Sequence, residues 1–304
     1  MRSHSLQATA LRYFTAVAET GSLTEASARQ HVAASALSRQ IAALEAQLGT
    51  TLFERHPRGM VLTAAGGILL AHARRAELEA QHALEEIGAL QGLRAGLVRL
   101  ATSDAFANEL VPRLCVDFQR AHQGVQIDVA VMPTAEVPEC VHQGVADIGL
   151  CFSRAPHKDV AVLYRQPAPV LALMLPDHPL ATCASVTLGK MTDWPMALPP
   201  PQTTIRQMMD IVCSRQGLRL SPQLVSNHAR LMLHFVLSGG GLTVSSEVAA
   251  RHLLGRGAIV ARPICDAGMD LRDIEVQSLV GRGLPLAVQA FLDLLRERLP
   301  TPSA

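Results

Sequence analysis

Apolar residues recur at helical spacing through the first fifty positions. Leu11, Phe14 and Ala18 share one face of a first helix, which Gly21 ends. Ser22 then stands where an N-cap belongs, and Glu25 three residues on completes a capping box for a short second helix over about 23–29. After the turn Gln30-His31-Val32, the residues Leu37, Ile41, Leu44 and Leu48 fall at i, i+4, i+7 and i+11. They predict a buried stripe on a third helix that stops at Gly49. Two short strand-like pieces, 51–53 and 60–62, flank the turn His56-Pro57-Arg58-Gly59. Thr63 caps a long helix running to about Gln91, with Leu69, Ala73, Ala76, Ala80, Ala83, Ile87 and Leu90 at helical spacing. That helix is too long and too thinly apolar to be buried by its own domain, which predicts packing against a second copy.

Beyond 92–96, a Gly-bounded hinge, the pattern alternates between strand and helix. LVRLAT reads as a strand, 105–122 as one helix carrying Leu110, Leu114 and Phe118, and VQIDVAV as a second strand. The 133–143 stretch leads into a helix, and ADIGLCF is a third strand. PAPVLALMLP opens a second set: a strand, a Pro-rich turn and a helix in WPMALPPPQTTIRQMMDIV, then PQLVSN, a helix over 231–237 and GGGLTVSS. RDIEVQSLVG is a late strand and 286–299 a closing helix. Strands alternating with helices predict parallel sheets covered on both faces. Gly239-Gly240-Gly241 lacks the Lys and Ser/Thr of a phosphate loop and reads as a helix-to-strand turn.

Two short helices, a turn, a third helix and a wing make a device for placing a helix in the major groove of DNA. With the apolar stripe facing inward, Ser35, Ser38 and Arg39 point outward near the N-terminus of the third helix. There the positive end of the helix dipole favours phosphate, and Arg39 can fork onto guanine. Arg55 and Arg58 fall in the wing. Charge adds little: the first 62 residues carry six Arg against four Glu, and the whole chain is +1. Arg outnumbers Lys throughout, with Lys only at 158 and 190, so the bias is compositional rather than local.

The stretch ALSRQIAALEAQLGTTLFER followed by RGMVLTAAG resembles the signature of LysR-type transcriptional regulators, strongly over the first 90 or so residues and more loosely beyond. The resemblance implies an α+β multi-domain chain. It would have a winged helix-turn-helix at 1–62, a linker helix at 63–92 forming an antiparallel dimer pair, and an effector domain at 93–304. That domain would be two-lobed α/β, similar to periplasmic solute-binding proteins, with lobes at 93–164 plus 265–304 and at 165–264. It also implies DNA contacts by Ser35, Ser38, Arg39, Arg55 and Arg58, homodimers and homotetramers, and regulation by a small molecule. The chain departs from the family at Ala33 and Ala34, where many members have Ser and Gln, and at Gln30. Ala33 is a poor N-cap, and Ala34 offers a base edge only a methyl. Ala64 follows Thr63 where an acidic residue is usual.

Ligands of open α/β sheets bind beyond the carboxyl ends of strands, in the crevice between lobes. Thr102 and Ser103 follow the first strand, Thr134 the second, Thr203 and Thr204 the Pro199-Pro200-Pro201 turn, and Ser226-Asn227 a strand of the second lobe. Hydroxyls and helix N-termini converging there predict a pocket for a carboxylate or similar anion. Ordinary N-capping accounts for Ser and Thr at each position taken singly.

The remaining chemistry is exclusionary. Motifs of the HExxH, GxSxG and CxxC kinds are absent, and the 12 His are dispersed, so neither a resident metal, nor a cofactor, nor an enzyme is expected. The six Cys are scattered, as expected for reduced thiols in a cytoplasmic protein, with a Cys183–Cys213 thiol sensor as the alternative. The start lacks the apolar core of a signal peptide, and the longest apolar run, 170–175, cannot span a bilayer.

Overall fold

The computed structural model describes residues 9–57, 59–90, 96–155 and 157–299. The chain divides into two compact units. The expected hinge falls largely on 91–95, outside the described residues, as does Arg58.

The first unit holds α1 (Thr9–Thr20), α2 (Leu23–Gln30), α3 (Ala34–Leu48), the antiparallel hairpin β1 (Phe53–His56) and β2 (Gly59–Leu62), and α4 (Ala64–Leu90). Phe14, Val17, Ala26, Leu37, Ile41, Leu52 and Phe53 form its core, with Phe14 and Phe53 rings 5.2 Å apart. The Ser22 hydroxyl accepts from Glu25 N, so half of the capping box forms; Ser22 N is held instead by the Thr20 hydroxyl. His31 ends α2 in the left-handed region at φ 54°.

Three details differ from the pattern-based expectation. Leu48 is exposed, because the last turn of α3 runs past the core before Gly49 turns it. The first wing strand is Phe53–His56, shifted from the expected 51–53 and sharing only Phe53 with it. On α4 the apolar stripe is only partly covered: Ala73 is buried but Ile87 is exposed. Gly59 closes the wing tightly. It sits at φ 130°, and a Cβ there would lie 2.4 Å from Gly21 O, whose carbonyl accepts from Met60 N. Glu45 adds a pin, its Oε1 accepting from Leu52 N at 2.7 Å.

The second unit begins with β3 (Gly96–Thr102), α5 (Asp104–Ala107), α6 (Leu110–Ala121), β4 (Val125–Val131), α7 (Val137–His142), β5 (Ile148–Ser153) and β6 (Val160–Pro167). It continues through β7 (Leu171–Met174), α8 (Leu188–Met191), β8 (Met196–Leu198), α9 (Thr204–Gln216), β9 (Leu224–Val225), α10 (Ala229–Leu237), β10 (Leu242–Ser245), α11 (Glu247–Gly255) and β11 (Val260–Pro263). It closes with β12 (Asp273–Leu279) and α12 (Leu286–Arg298). The strands make two five-stranded sheets, ordered β4-β3-β5-β12-β6 and β11-β7-β10-β8-β9. The chain crosses from the first sheet to the second after β6 and returns before β12.

Neither sheet is purely parallel, which corrects the expectation. β12 runs antiparallel to β5 and β6, and β7 antiparallel to β10 and β11. A strand that returns from the other sheet enters from the opposite end, so the crossovers impose the reversal. The single helix expected over 105–122 is two. Pro112 cannot donate to a carbonyl four residues back and would clash with it, so the helix must restart within the preceding turn. Asn108 ends α5, its side chain donating to Asp104 O at 2.8 Å. The Gly239–Gly241 turn is structural: a Cβ on Gly241 would lie 2.1 Å from Pro195 O.

Candidate DNA-binding face and effector cleft

On α3 the buried face of Leu37 and Ile41 turns the other side of the helix outward. Ser35 and Arg39 are exposed and Ser38 is half-buried, all within the first two turns. Arg39 Nε donates weakly to Ser35 O at 3.4 Å. Ala33 occupies the N-cap without a side-chain bond, leaving the amino end of α3 unsatisfied by its own cap. Arg55 is exposed on β1, opposite Met60.

In the second unit, β3 and β5 are parallel neighbours with Thr102 opposite Leu150, so their carboxyl ends lie side by side. Thr102 is fully buried and its hydroxyl donates to Leu150 O at 3.0 Å, which commits its donor to the sheet. Ser103 differs. It is 4 % exposed, it caps α5 without using its side chain, and its Oγ has no hydrogen-bond partner. Thr134 opens a short 3-10 turn after β4, half-buried. Thr203 spends its hydroxyl locally, donating to Pro200 O and accepting from Arg206 N as the cap of α9; Thr204 is the first residue of that helix. Asn227 is exposed just before α10. Of the six predicted effector residues, Ser103 is therefore the one with an unused buried hydroxyl.

Four residues go beyond the sequence-based set. Ser246 repeats the Ser103 arrangement on the other sheet: it follows β10, caps α11 without a side-chain bond, and its buried Oγ is unpartnered. The matching strand-Ser-acid pattern, ATSD against VSSE, is the signal that could have found it. Asp104 accepts from Ala229 N at the start of α10 at 2.7 Å and lies 3.6 Å from His228 Nδ1. Glu109 accepts from His252 N of α11 at 3.0 Å. Two carboxylates from the α5–α6 segment thus hold helices that belong to the other sheet. Arg272, at the return crossover, is 2 % exposed. A separate pocket between α6, α11 and α12 is walled by Arg113, Asp117, Arg251 and Arg298, but its acids and bases largely pair, Arg298 with Asp117 at 2.8 Å.

Two of the buried cysteines are held as thiols. Burial pushes the Cys213 thiol up, and pushes Cys151 to about 12, so neither is a ready thiolate. Among the described residues no group of His, Cys, Asp and Glu could hold a metal ion, and no helix is long and apolar enough to cross a membrane.

A helix-turn-helix head joined to a two-sheet unit with unused polar groups at its strand ends defines a ligand-responsive DNA-binding regulator. Comparison with known proteins agrees. Residues 8–67 match the bacterial regulatory helix-turn-helix protein, lysR family, and residues 91–300 match the LysR substrate binding domain. The chain belongs to the LysR family, whose members are transcriptional regulators and not enzymes. It is 32 % identical over 238 residues to the uncharacterized HTH-type transcriptional regulator YnfL of Escherichia coli K12, covering 77 % of this chain and 80 % of that one. Its fold is similar to that of a full-length OxyR variant from Pseudomonas aeruginosa, with a TM-score of 0.68 at 22 % identity over 96 % of this chain and 98 % of that one. It is also similar to full-length CbnR complexed with its target DNA, with a TM-score of 0.52 at 22 % identity over 95 % and 98 % of the two chains.

Proposed function

We propose that this regulator binds double-stranded promoter DNA as a homodimer that can pair into a tetramer in the cytoplasm. In this reading 1–62 is the DNA-binding domain, 63–92 the dimerising linker, and 93–304 the effector domain, with lobes at 93–164 plus 265–304 and at 165–264. α3 enters the major groove with Ser35, Ser38 and Arg39 toward the bases and phosphates, and Arg55 and Arg58 follow the backbone from the wing. A small anionic effector, a carboxylate, occupies the cleft between the two sheets, using Ser103, Thr134, Thr204 and Asn227 as donors and Thr102 and Thr203 as supporting wall. Its binding alters how the lobes close and so which arrangement of subunits is populated.

The observation that carries the DNA reading is the outward placement of Ser35, Ser38 and Arg39 on a helix whose opposite face is buried. The test is selection of genomic fragments by purified protein, followed by Arg39→Ala. The wild type enriches imperfect palindromes. The variant loses that selectivity while staying dimeric, since a forked guanine contact contributes about 1–3 kcal/mol of discrimination. Unchanged selectivity in Arg39→Ala would sink this docking.

A further inference from the structure

Among the described residues four charged side chains are essentially buried: Asp147, Glu275, Arg272 and Arg282, each at 1–3 % exposure. Three of them are compensated within the chain. Asp147 pairs with Arg282 at 2.7 Å and accepts from Arg99 N at 2.8 Å. Glu275 takes two bonds from Arg165, one of them from Nε at 3.0 Å, and a third from Gln277. Arg272 has no such partner. Its Nε donates to Ala168 O at 3.0 Å and its guanidinium lies 4.0 Å over the Phe152 ring, but Nη2 is buried without an acceptor. Burial alone pushes its pKa down to about 9, because no carboxylate opposes the desolvation. A buried cation with one carbonyl and one ring for company is costly unless something else supplies the negative charge.

Its position says what that something is. Thr102 of β3 lies opposite Leu150 of β5, and Asp273 of β12 lies opposite Ser153 of β5. Ser103, Phe152 and Arg272 therefore stand at the same edge of three adjacent strands, the carboxyl end of β3 and β5. Phe106 of α5 stacks on Phe152 at 4.6 Å and binds back to Ser103 O through its amide. Neighbouring strands are about 4.8 Å apart and residues rise about 3.3 Å along a strand, so Ser103, level with Cys151, and Arg272, level with Arg154, flank a span of roughly 14 Å at the backbone, which a small acid and two side chains bridge.

We propose that Arg272 is the counter-ion for the acidic group of the effector, a carboxylate, with the Ser103 hydroxyl a further donor to the same ligand. This rests on the cleft reading above and adds to it the residue that selects for negative charge. The forked guanidinium suits a carboxylate, which would accept from both nitrogens not used by Ala168 and Phe152. The ligand thus completes a charge pair that the chain leaves open.

The test uses the purified full-length protein with acetate, succinate and benzoate, with inorganic phosphate as a second anion and chloride matching the ionic strength. Calorimetric affinity and thermal midpoint are read for the wild type, Arg272→Met, Ser103→Ala and Asn227→Ala. The wild type binds at least one carboxylate. Arg272→Met keeps a midpoint at or above that of the unliganded wild type and loses about a hundredfold in affinity, as truncation of one partner of a buried charge pair does. Ser103→Ala folds normally, its hydroxyl having no partner to lose, and loses about tenfold, the equivalent of one hydrogen bond to a charged group. Full affinity in Arg272→Met beside weakened Ser103→Ala or Asn227→Ala would overturn the role of Arg272 and leave the cleft standing. Binding of phosphate alone would overturn the carboxylate class. No response to any anion would overturn both the counter-ion and the acid-binding cleft. Should Arg272→Met fail to fold, Arg272→Gln, which keeps a donor for Ala168 O, is read by the same criteria; failure of both to fold would assign Arg272 to the fold and overturn its proposed role.

Discussion

Arg39 in the head and Arg272 in the effector-binding unit are the same side chain in opposite surroundings. Arg39 is exposed on α3, hydrated, and held by one long bond to its own helix. Arg272 is sealed under Phe152 and Ala168 with a donor unspent. An exposed side chain costs the fold nothing, because the solvent satisfies it until a ligand displaces the water. A side chain waiting in a cleft must be desolvated in advance, and the fold carries that cost until a ligand arrives. On the roles proposed above, stability and function are independent in the head and coupled in the effector-binding unit.

The sharpest way to break this comparison is Asp147→Ala. It strips the partner from buried Arg282, and leaving one buried charge unpaired costs about 3–5 kcal/mol. Denaturant unfolding measures it. Arg272→Met should move in the other direction, from neutral to more stable by up to about 4 kcal/mol, since it removes a charge already unpaired. The sign follows from linkage. A cation whose folded-state pKa is lowered detracts from stability below about 9, and the penalty fades only as the pH rises from there toward the ordinary 12.5. If both variants destabilise equally, Arg272 is paired in solution and the contrast is false.

In the head, Gly59→Ala is expected to cost about 1–3 kcal/mol and to loosen the wing, since the new methyl meets Gly21 O in a left-handed backbone. Loss of protection at the Met60 amide in hydrogen exchange reports it, because that amide donates to Gly21 O. His31→Gly should add up to about 1 kcal/mol by relieving φ 54°, offset in part by the entropy of glycine in the unfolded chain. Thermal unfolding of the head decides its sign. Arg39→Ala should change stability least, within about 0.5 kcal/mol, while removing operator selectivity. A large stability change there would mean that the head's recognition face also supports its core.

What could be read in advance follows the same division. The head was legible nearly residue by residue, because its core is built from local periodicity: Phe14, Leu37 and Ile41 are buried as their spacing implies, and Ser22 and Thr63 cap where hydroxyls precede helices. The error at Leu48 is one of extent, since periodicity does not say where the core stops. In the effector-binding unit most strands and helices were legible as elements. Their direction was not, because β12 and β7 are reversed by crossovers that leave no local trace. Pro112 is the local signal that splits α5 from α6, and apolar spacing alone passes over it. The effector residues stand at strand ends, and that rule could not tell Thr102, spent on Leu150 O, from Ser103, spent on nothing. Arg272 looks in the sequence like no more than the first letter of a strand. Whether a charge is paired depends on residues far away in sequence, and only the fold brings them together.

Thr63 binds the wing and the linker helix into one piece. Its hydroxyl donates to Thr51 O and accepts from Gly66 N, while its amide donates to Leu52 O. α4 is 27 residues long, so as a straight helix it is a rod of roughly 40 Å. With no slack at its root, a tilt of about ten degrees there sweeps the Leu90 end through about 7 Å by simple leverage. The joint at Thr63 thus acts as a lever, turning a small rotation of the wing into a displacement of several ångströms at the other end of α4.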